Sequence, residues 1–272
     1  MTLTERPPLT VFTPFYQANP TYFDETIVSV LSQSFGDFEY LMINDGTIED
    51  ARRIEKRFRD PRIRIITSST PLGLSGSRNA GLRHAHADLI AFIDSDDFCE
   101  PERLQKQMDF MRANPDHVLV GTALRYIDEK SQTIGHRYYP QTDSEIKARI
   151  VAMNCVAQPS VMARRQALID AGGYTPEFPA AEDYALWLRL ARFGKFHNLQ
   201  EQLVAYRIHL QSGKHRLLRP ALRDSTKLKI HAIRHWGFKP TPRSLASIAA
   251  HGVLFALPSP VIYWLFKRMF VR

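Results

Sequence analysis

The chain has 272 residues, of which 44% are hydrophobic and 24% charged, a composition typical of a globular protein with a sizeable core. Its two cysteines, Cys99 and Cys155, exclude a disulfide framework and a cysteine-based metal site, and they favour a reduced, cytoplasmic setting. The first eight residues lack the apolar stretch of a secretory signal, so none is expected.

The net charge of +8 is concentrated in the C-terminal quarter of the chain. Residues 201–272 contain thirteen Lys and Arg but two Asp and Glu, whereas residues 1–200 carry a net charge of −3. This asymmetry indicates an anionic partner for the C-terminal quarter, either a nucleic acid or a membrane surface.

Short apolar runs alternate with amphipathic segments along the first half of the chain. This pattern predicts an α/β protein whose parallel strands are joined by helical crossovers. Pro14 is expected to end the first strand, and Gly36 follows the first helix. The predicted strands are Leu9–Thr13, Phe38–Ile43, Ile63–Thr67, Leu89–Ile93 and Val118–Leu124. The predicted helices between them are Tyr22–Gln33, Ile48–Phe58 and Pro101–Met111.

A Gly- and Ser-rich segment, Pro71–Leu82, lies between the third and fourth strands and becomes helical. It matches neither the dinucleotide fingerprint nor the P-loop, which argues against a dehydrogenase or an NTPase. Its Arg78 is placed to reach a phosphate. The alternative for this arginine is a surface or sheet-packing role.

Three carboxylates, Asp94, Asp96 and Asp97, follow the fourth strand. In open α/β sheets, ligands bind beyond the carboxyl ends of the strands. Carboxylate oxygens suit Mg²⁺ or Mn²⁺, which protein sites commonly bind together with substrate phosphates. The pattern therefore predicts a clamp for a metal and a diphosphate. A solvated acidic turn before the next helix is the alternative.

Beyond residue 124 the pattern predicts a hairpin tip at Asp128–Ser131, a short edge strand at Gln158–Met162 and a helix at Arg165–Ala171. A further helix carries Glu182 and Asp183 in its first turn. Acidic residues there favour the helix dipole, so capping alone explains them. The alternative is that one of them acts as a general base.

The stretch Ser244–Phe266 contains no Asp, Glu, Lys or Arg, but His251, Gly252 and two prolines interrupt it. A membrane span needs about 20 continuous apolar residues, so an interfacial or re-entrant anchor with basic flanks is predicted. The alternative is a helical hairpin packed on the preceding domain. The basic residues expected to attract an anionic surface are Lys214, Arg216, Arg219, Arg223, Lys227 and Lys229. The aromatic residues expected at the interface are Phe255, Tyr263, Trp264 and Phe266.

Seven short segments, in their order and spacing, resemble the family 2 glycosyltransferases with the GT-A fold, bacterial type. They are Thr13–Gln17, Ser29–Phe35, Asn44–Thr47, Ser77–Leu82, Asp94–Asp97, Glu182–Trp187 and Tyr206–Ser212. The resemblance implies a single Rossmann-like nucleotide-diphospho-sugar transferase domain with a mixed, mostly parallel sheet, over residues 1–212. Its nucleotide-binding part covers about 9–100 and its acceptor-binding part about 101–212. Residues 213–272 then form a helical, membrane-associating extension.

The resemblance also implies roles in binding the sugar nucleotide. Pro14 and Tyr16 line the nucleotide site, Asp45 accepts a hydrogen bond from uracil, and Asp94 contacts the ribose side. Further nucleotide-sugar contacts are expected from Arg78 and Ser95. Two residues depart from the family pattern, since Gln17 stands where Asn is usual and Asn44 where the first carboxylate of an Asp-Asp pair is frequent. These departures affect the nucleotide contacts alone.

For the chemical step, the resemblance implies that Asp183 deprotonates the acceptor hydroxyl and that Glu182 orients the acceptor or the donor sugar. Asp96 is expected to ligate Mn²⁺ or Mg²⁺. His209 either completes the metal shell or supports the diphosphate, with a buried structural role as the alternative. Family members of this kind invert the configuration at the anomeric carbon in one displacement.

The resulting hypothesis is a metal-dependent hexosyltransferase that uses a UDP-sugar and a lipid-linked glycan acceptor in cell-surface polysaccharide biosynthesis. It would work at the cytoplasmic face of the inner membrane. A non-catalytic sugar-nucleotide-binding or scaffold protein of the same fold is the main alternative. Nucleic-acid binding is disfavoured, because the C-terminal aromatic residues do not interleave with the basic ones.

Overall fold

The computed structural model describes residues 6–209, 218–258 and 261–262. The strands are β1 Leu9–Phe15, β2 Glu39–Asn44, β3 Ile63–Thr67, β4 Leu89–Phe92, β5 Phe98–Cys99, β6 His117–Ile127, β7 Thr133–Arg137, β8 Met162–Arg164 and β9 Lys195–Arg207. The helices are α1 Pro20–Leu31, α2 Ile48–Arg57, α3 Gly73–His84, α4 Arg103–Ala113, α5 Asp143–Arg149, α6 Arg165–Asp170, α7 Glu182–Leu190, α8 Leu218–His235 and α9 Pro242–Ala256. A short 3-10 helix, Gln158–Ser160, precedes β8.

All nine of these strands belong to one mixed sheet in the order β3-β2-β1-β4-β8-β6-β9-β5, with β7 paired to β6. Strands β1 to β4 pair in parallel, as do β6 and β9, and the remaining pairings are antiparallel. The predicted mixed α/β architecture is therefore confirmed. Because β1, β2 and β4 run in the same direction, their carboxyl ends meet at one edge of the sheet.

The central strands β1, β2 and β4 are buried along almost their whole length because both faces of the sheet are covered. Along β1, Val11 packs into one buried core and Phe12 into the core on the opposite face. Helices α3 and α7 contribute to the core of Phe12, whereas α1 and α4 contribute to that of Val11. Burial on both faces explains why these strands lack polar alternation.

Two predictions about the strands are wrong. Pro14 does not end β1, which continues to Phe15. The Phe12 carbonyl accepts a hydrogen bond from the Ile93 amide beyond β4, and by alternation Pro14 also faces that side, where β4 has already ended. The missing N–H of Pro14 therefore costs no ladder bond. The segment Gln158–Met162 is not an edge strand, since β8 pairs with both β4 and β6 in the middle of the sheet.

The C-terminal helices α8 and α9 pack on the rest of the protein. Leu228 and Ala232 of α8 are fully buried in the same core as Trp187 of α7. Asp224 of α8 accepts a hydrogen bond from the Ala180 amide, which lies two residues before the start of α7. Within the part of the chain that the structure describes, no helix combines the length and apolar character needed to cross a membrane.

Several residues of the predicted basic and aromatic surface lie outside the described residues. They are Lys214, Arg216, Tyr263, Trp264 and Phe266, and the same holds for Leu210–Ser212 of the last motif.

Candidate active site

A cavity of about 550 Å³ opens at the carboxyl ends of β1 and β4. It lies beside the start of α7, so that residues distant in sequence share its walls. Eight of the predicted site residues line it, namely Pro14, Tyr16, Arg78, Asp94, Ser95, Asp96, Glu182 and Asp183. The topology thus brings the acidic strand end and the acidic helix start to one place, as expected for ligand sites in open α/β sheets.

The acidic loop after β4 is held in position by the end of β9. The backbone amide of Arg207 donates to Asp97 Oδ1 at 2.8 Å, and the Arg207 guanidinium donates to the Asp96 carbonyl at 3.0 Å. This arginine is fully buried, pairs with Glu25 and lies over the ring of Tyr22. Since Arg207 joins the end of β9, helix α1 and the acidic loop, it fixes the loop that carries Asp94 and Asp96.

Arg78 is buried in the cavity wall and joins two carboxylates. Its guanidinium donates to Glu182 Oε1 at 2.5 Å and to Asp94 Oδ1 at 3.4 Å. Burial raises the pKa of Glu182 to about 7, although Arg78 opposes this shift. Burial likewise raises the pKa of Asp94. One cation therefore links α3, the end of β4 and the start of α7, which excludes an exposed surface role for Arg78.

Asp183 is half-buried, and hydrogen bonds fix both of its oxygens. The Tyr184 amide donates to Oδ1 at 2.6 Å, and Asn154 Nδ2 donates to Oδ2 at 3.2 Å. The Asn154 Oδ1 atom accepts from the Val156 amide, so the amide nitrogen of Asn154 is the group that faces Asp183. Helix α7 is preceded by Ala181 and has no side-chain cap. Both carboxylates lie in the first turn of α7, and Asp183 accepts from the Tyr184 amide there, so the helix-dipole interpretation stays beside the catalytic one.

The residues expected to hold a divalent metal are in contact with one another. His209 Nε2 and Asp96 Oδ2 are 2.9 Å apart. Adjacent ligands of an octahedral ion with bonds of about 2.1 Å have donor atoms about 3 Å apart, so this pair fits a shared cation. Over residues 6–209, 218–258 and 261–262, no set of three metal-ligating side chains converges.

Comparison with known proteins agrees with this arrangement. A family model described as glycosyl transferase family 2 matches residues 10–172. The chain is 35% identical over 199 residues to the O-antigen biosynthesis glycosyltransferase WbnJ of Escherichia coli, and the match covers 70% of this chain and 76% of WbnJ. The chain belongs to glycosyl transferase family 2.

Solved structures show that this family 2 glycosyltransferase has the GT-A fold. The structure of S. aureus TarS 1-349 in complex with UDP-GlcNAc aligns with a TM-score of 0.63 at 16% identity, over 93% of this chain and 83% of that one. The mannosyltransferase PcManGT from Pyrobaculum calidifontis, in complex with GDP-Man and Mn²⁺, aligns with a TM-score of 0.63 at 16% identity, over 98% and 81%. Because both alignments have a sequence identity of 16%, they show that the folds are alike but do not show the activity of this chain.

His209 and Asp45 are the two predicted site residues of this glycosyltransferase that do not line the cavity. Asp45 contacts α3 instead. Its two carboxylate oxygens accept hydrogen bonds from the Leu72 and Gly73 amides, at 2.7 and 2.8 Å, where α3 begins. In this structure Asp45 anchors the start of α3, and its contact with a nucleobase stays a prediction.

The cavity is also lined by residues that sequence reasoning missed. They include Tyr126, Arg137, Tyr139, Asn154, Gln158, Tyr206 and Ala221. They come from β6, β7, β9, α8, the 3-10 helix and two loops, and no short motif joins them. Only Tyr206 lies in a segment that the family resemblance includes. The predicted hairpin tip at Asp128–Ser131 implies the pairing of β6 with β7, whereas the residue pattern does not specify the pairing of β6 with β9. Together these pairings bring Tyr126, Arg137 and Tyr206 close to one another.

Proposed function

We propose that this protein is an inverting glycosyltransferase that moves a hexose from a nucleoside-diphosphate sugar, with UDP favoured, to a hydroxyl of a glycan acceptor. The observation that carries the proposal is the single cavity lined by Asp94, Asp96, Glu182 and Asp183. A binding or scaffold protein has no need of a carboxylate like Asp183, which is held by two hydrogen bonds and faces the cavity.

In the proposed reaction, Asp183 accepts the proton of the acceptor hydroxyl as the acceptor oxygen bonds to the anomeric carbon. The bond between that carbon and the diphosphate oxygen breaks, and its electron pair leaves with the nucleoside diphosphate. Attack opposite to the leaving group converts an α-linked donor into a β-glycoside. Asn154 keeps Asp183 oriented, and Arg78 keeps Glu182 beside the donor sugar.

Asp96 and His209 are the residues that would hold Mn²⁺ or Mg²⁺, and a bound ion would neutralise charge on the departing diphosphate. The Mn²⁺ complex of PcManGT supports this assignment. The UDP-GlcNAc complex of TarS supports a nucleotide-sugar donor. The name of WbnJ supports a role in O-antigen or a related cell-surface polysaccharide.

We further propose that the acceptor is lipid-linked and that the enzyme associates peripherally with the cytoplasmic face of the inner membrane. The charge of +11 on residues 201–272 supports this proposal, because anionic lipids attract clustered basic residues. Division of the chain into a catalytic domain, 1–212, and an extension, 213–272, belongs to the same proposal.

The test is release of nucleoside diphosphate from a panel of nucleotide sugars, with Mn²⁺ and a membrane lipid extract as the source of acceptor. We expect release from one donor, and we expect Asp96→Ala and Asp183→Asn each to reduce it at least about 100-fold. Calorimetry should show that Asp183→Asn still binds the nucleoside diphosphate. If Asp183→Asn retained full turnover, Asp183 would not be the base.

A further inference from the structure

Helix α9 has its polar and apolar faces reversed relative to a helix on the surface of a globular protein. Its inward side carries Ser244, which is buried, and Ser247 and His251, which are half-buried. Ser247 donates a hydrogen bond to the Ala152 carbonyl, and His251 bonds Thr226 of α8. The polar residues of α9 are therefore used inside the protein.

Apart from Arg243 in its first turn, the outward side of α9 is apolar. Leu245, Val253 and Phe255 are 56%, 66% and 47% exposed. The other exposed positions between 245 and 255 are Ala246, Ala249, Ala250 and Gly252. By contrast, the exposed positions of α2 over 52–57 are Arg52, Glu55, Lys56 and Arg57. An apolar face of this length in contact with water is unfavourable, so it marks an interaction surface.

Charges around this face identify the partner. Lys239 and Arg243 are exposed at the N-terminal end of α9, and Arg223 and Lys227 are exposed on α8. Asp224 is the only acidic residue in the sequence after Glu201, and it is buried. The exposed charges of this region are therefore all positive. An apolar face bordered by cations complements a surface that is anionic outside and apolar inside.

We propose that the outward face of α9, formed by Leu245, Ala249, Val253 and Phe255, inserts into the interfacial layer of an anionic lipid bilayer. This inference rests on the proposed function and assigns the surface through which the protein meets the membrane. It adds Leu245 and Val253 to the single described aromatic, Phe255, that the sequence pattern indicated.

The position of α9 also explains how a lipid-linked acceptor reaches the cavity. Its partner helix α8 contributes Ala221 to the cavity wall, and Arg219 of α8 donates to the Leu257 carbonyl just beyond α9. A bilayer in contact with α9 would therefore be close to the part of the cavity wall that α8 forms. An acceptor whose lipid remains in the bilayer needs to extend only its glycan into the site.

The experiment is co-sedimentation of the full chain with vesicles, either pure phosphatidylcholine or containing about one-third phosphatidylglycerol. We expect binding to the anionic vesicles that weakens with salt, and weaker binding to the neutral ones. The variant Leu245→Glu/Val253→Glu should reduce the affinity for anionic vesicles at least about tenfold.

The matched control is Val28→Glu/Ile169→Glu, which replaces two residues that are 52% and 39% exposed on α1 and α6. It changes the net charge equally, so it should bind vesicles much more tightly than the α9 variant. Equal binding of the two variants, or no binding of the unmodified chain, would overturn the proposal. So would a dimer in gel filtration that the α9 variant alone dissociates, because a second copy would then cover this face. Release of nucleoside diphosphate in detergent tests the catalytic proposal separately.

Discussion

At the scale of single residues, Arg78 connects the parts of the site more directly than any other side chain described. It is buried, and the two carboxylates that it bonds, Asp94 and Glu182, come from opposite halves of the proposed catalytic domain. A buried carboxylate that loses its cation is strongly destabilised. Arg78 is therefore expected to contribute to folding as well as to the geometry of the site.

We expect Arg78→Met to lower the free energy of unfolding by about 3–5 kcal/mol, because it leaves Glu182 buried without its counter-ion. Denaturation in urea measures this change. The control is Arg57→Met, whose side chain is 61% exposed and pairs with Asp24. Its loss should cost less than about 1 kcal/mol. If Arg78→Met and Arg57→Met lost the same stability, the buried ion pair between Arg78 and Glu182 would contribute no more to folding than an exposed one.

Asn154 donates a hydrogen bond to the proposed base, Asp183. We expect Asn154→Asp to reduce nucleoside diphosphate release about tenfold or more, because it replaces a hydrogen-bond donor to Asp183 with a like charge. The new carboxylate still accepts the bond from the Val156 amide, so the local turn is kept.

Calorimetry should show unchanged affinity of Asn154→Asp for the nucleoside diphosphate. The matched control, Asn114→Asp at the end of α4, should retain full turnover. If Asn154→Asp, Asn114→Asp and the unmodified protein released nucleoside diphosphate at the same rate, the contact between Asn154 and Asp183 would have no catalytic consequence.

At the scale of elements, the sequence was most informative where each segment determines its own structure. The apolar runs predicted β3 with its bounds, and Thr47 with Asp50 forms the capping box that starts α2. Pairing between distant segments was not predictable in this way. The three residues of β8 carry no signal that places them between β4 and β6, and the functional position of Asn154 depends on the same long-range packing.

The interface between α8 and α9 contains a buried cation, Lys229, whose partners are Ser247 and His251. Among the described residues, no carboxylate lies within 4.0 Å of its amine, and burial lowers the pKa of Lys229 to about 8. The unfolded chain binds more protons than the folded one between about pH 8 and 10.5, so stability should rise with pH across this window.

We therefore expect Lys229→Met to be more stable than the unmodified protein at pH 7, by about 1–3 kcal/mol. This advantage should shrink as the pH rises from 8 to 10.5. Urea denaturation at several pH values measures both effects. The exposed neighbour Lys227 provides the control, since Lys227→Met should change stability little at any pH. If the difference in free energy of unfolding between Lys229→Met and the unmodified protein stayed constant from pH 7 to pH 10.5, the pKa of Lys229 would not be lowered by burial.

At the scale of the whole molecule, helices α8 and α9 are part of the structure around the active site, although the sequence placed them in a separate extension. Leu228 and Ala232 complete the core beneath α7, and Asp224 bonds the residue that precedes Ala181. On the other side of Asp183, Ser247 bonds the loop that carries Asn154. The charge asymmetry of the sequence indicated the surface role of this region, but it gave no sign of this inward one.

Removal of residues 213–272 should consequently destabilise the remaining chain. We expect the shortened protein to melt at least about 10 °C below the full chain, or to aggregate, because the core around Trp187 loses the side chains of α8 that cover it. A chain that ends at residue 258 keeps α8 and α9 and should melt close to the full-length protein. Differential scanning calorimetry of the full chain, the chain ending at residue 212 and the chain ending at residue 258 measures the three melting temperatures. If the chain ending at residue 212 melted like the full protein, α8 would not contribute to the stability of the fold. The hydrogen bond that Asp224 accepts and the one that Ser247 donates would then not hold the loops on either side of Asp183.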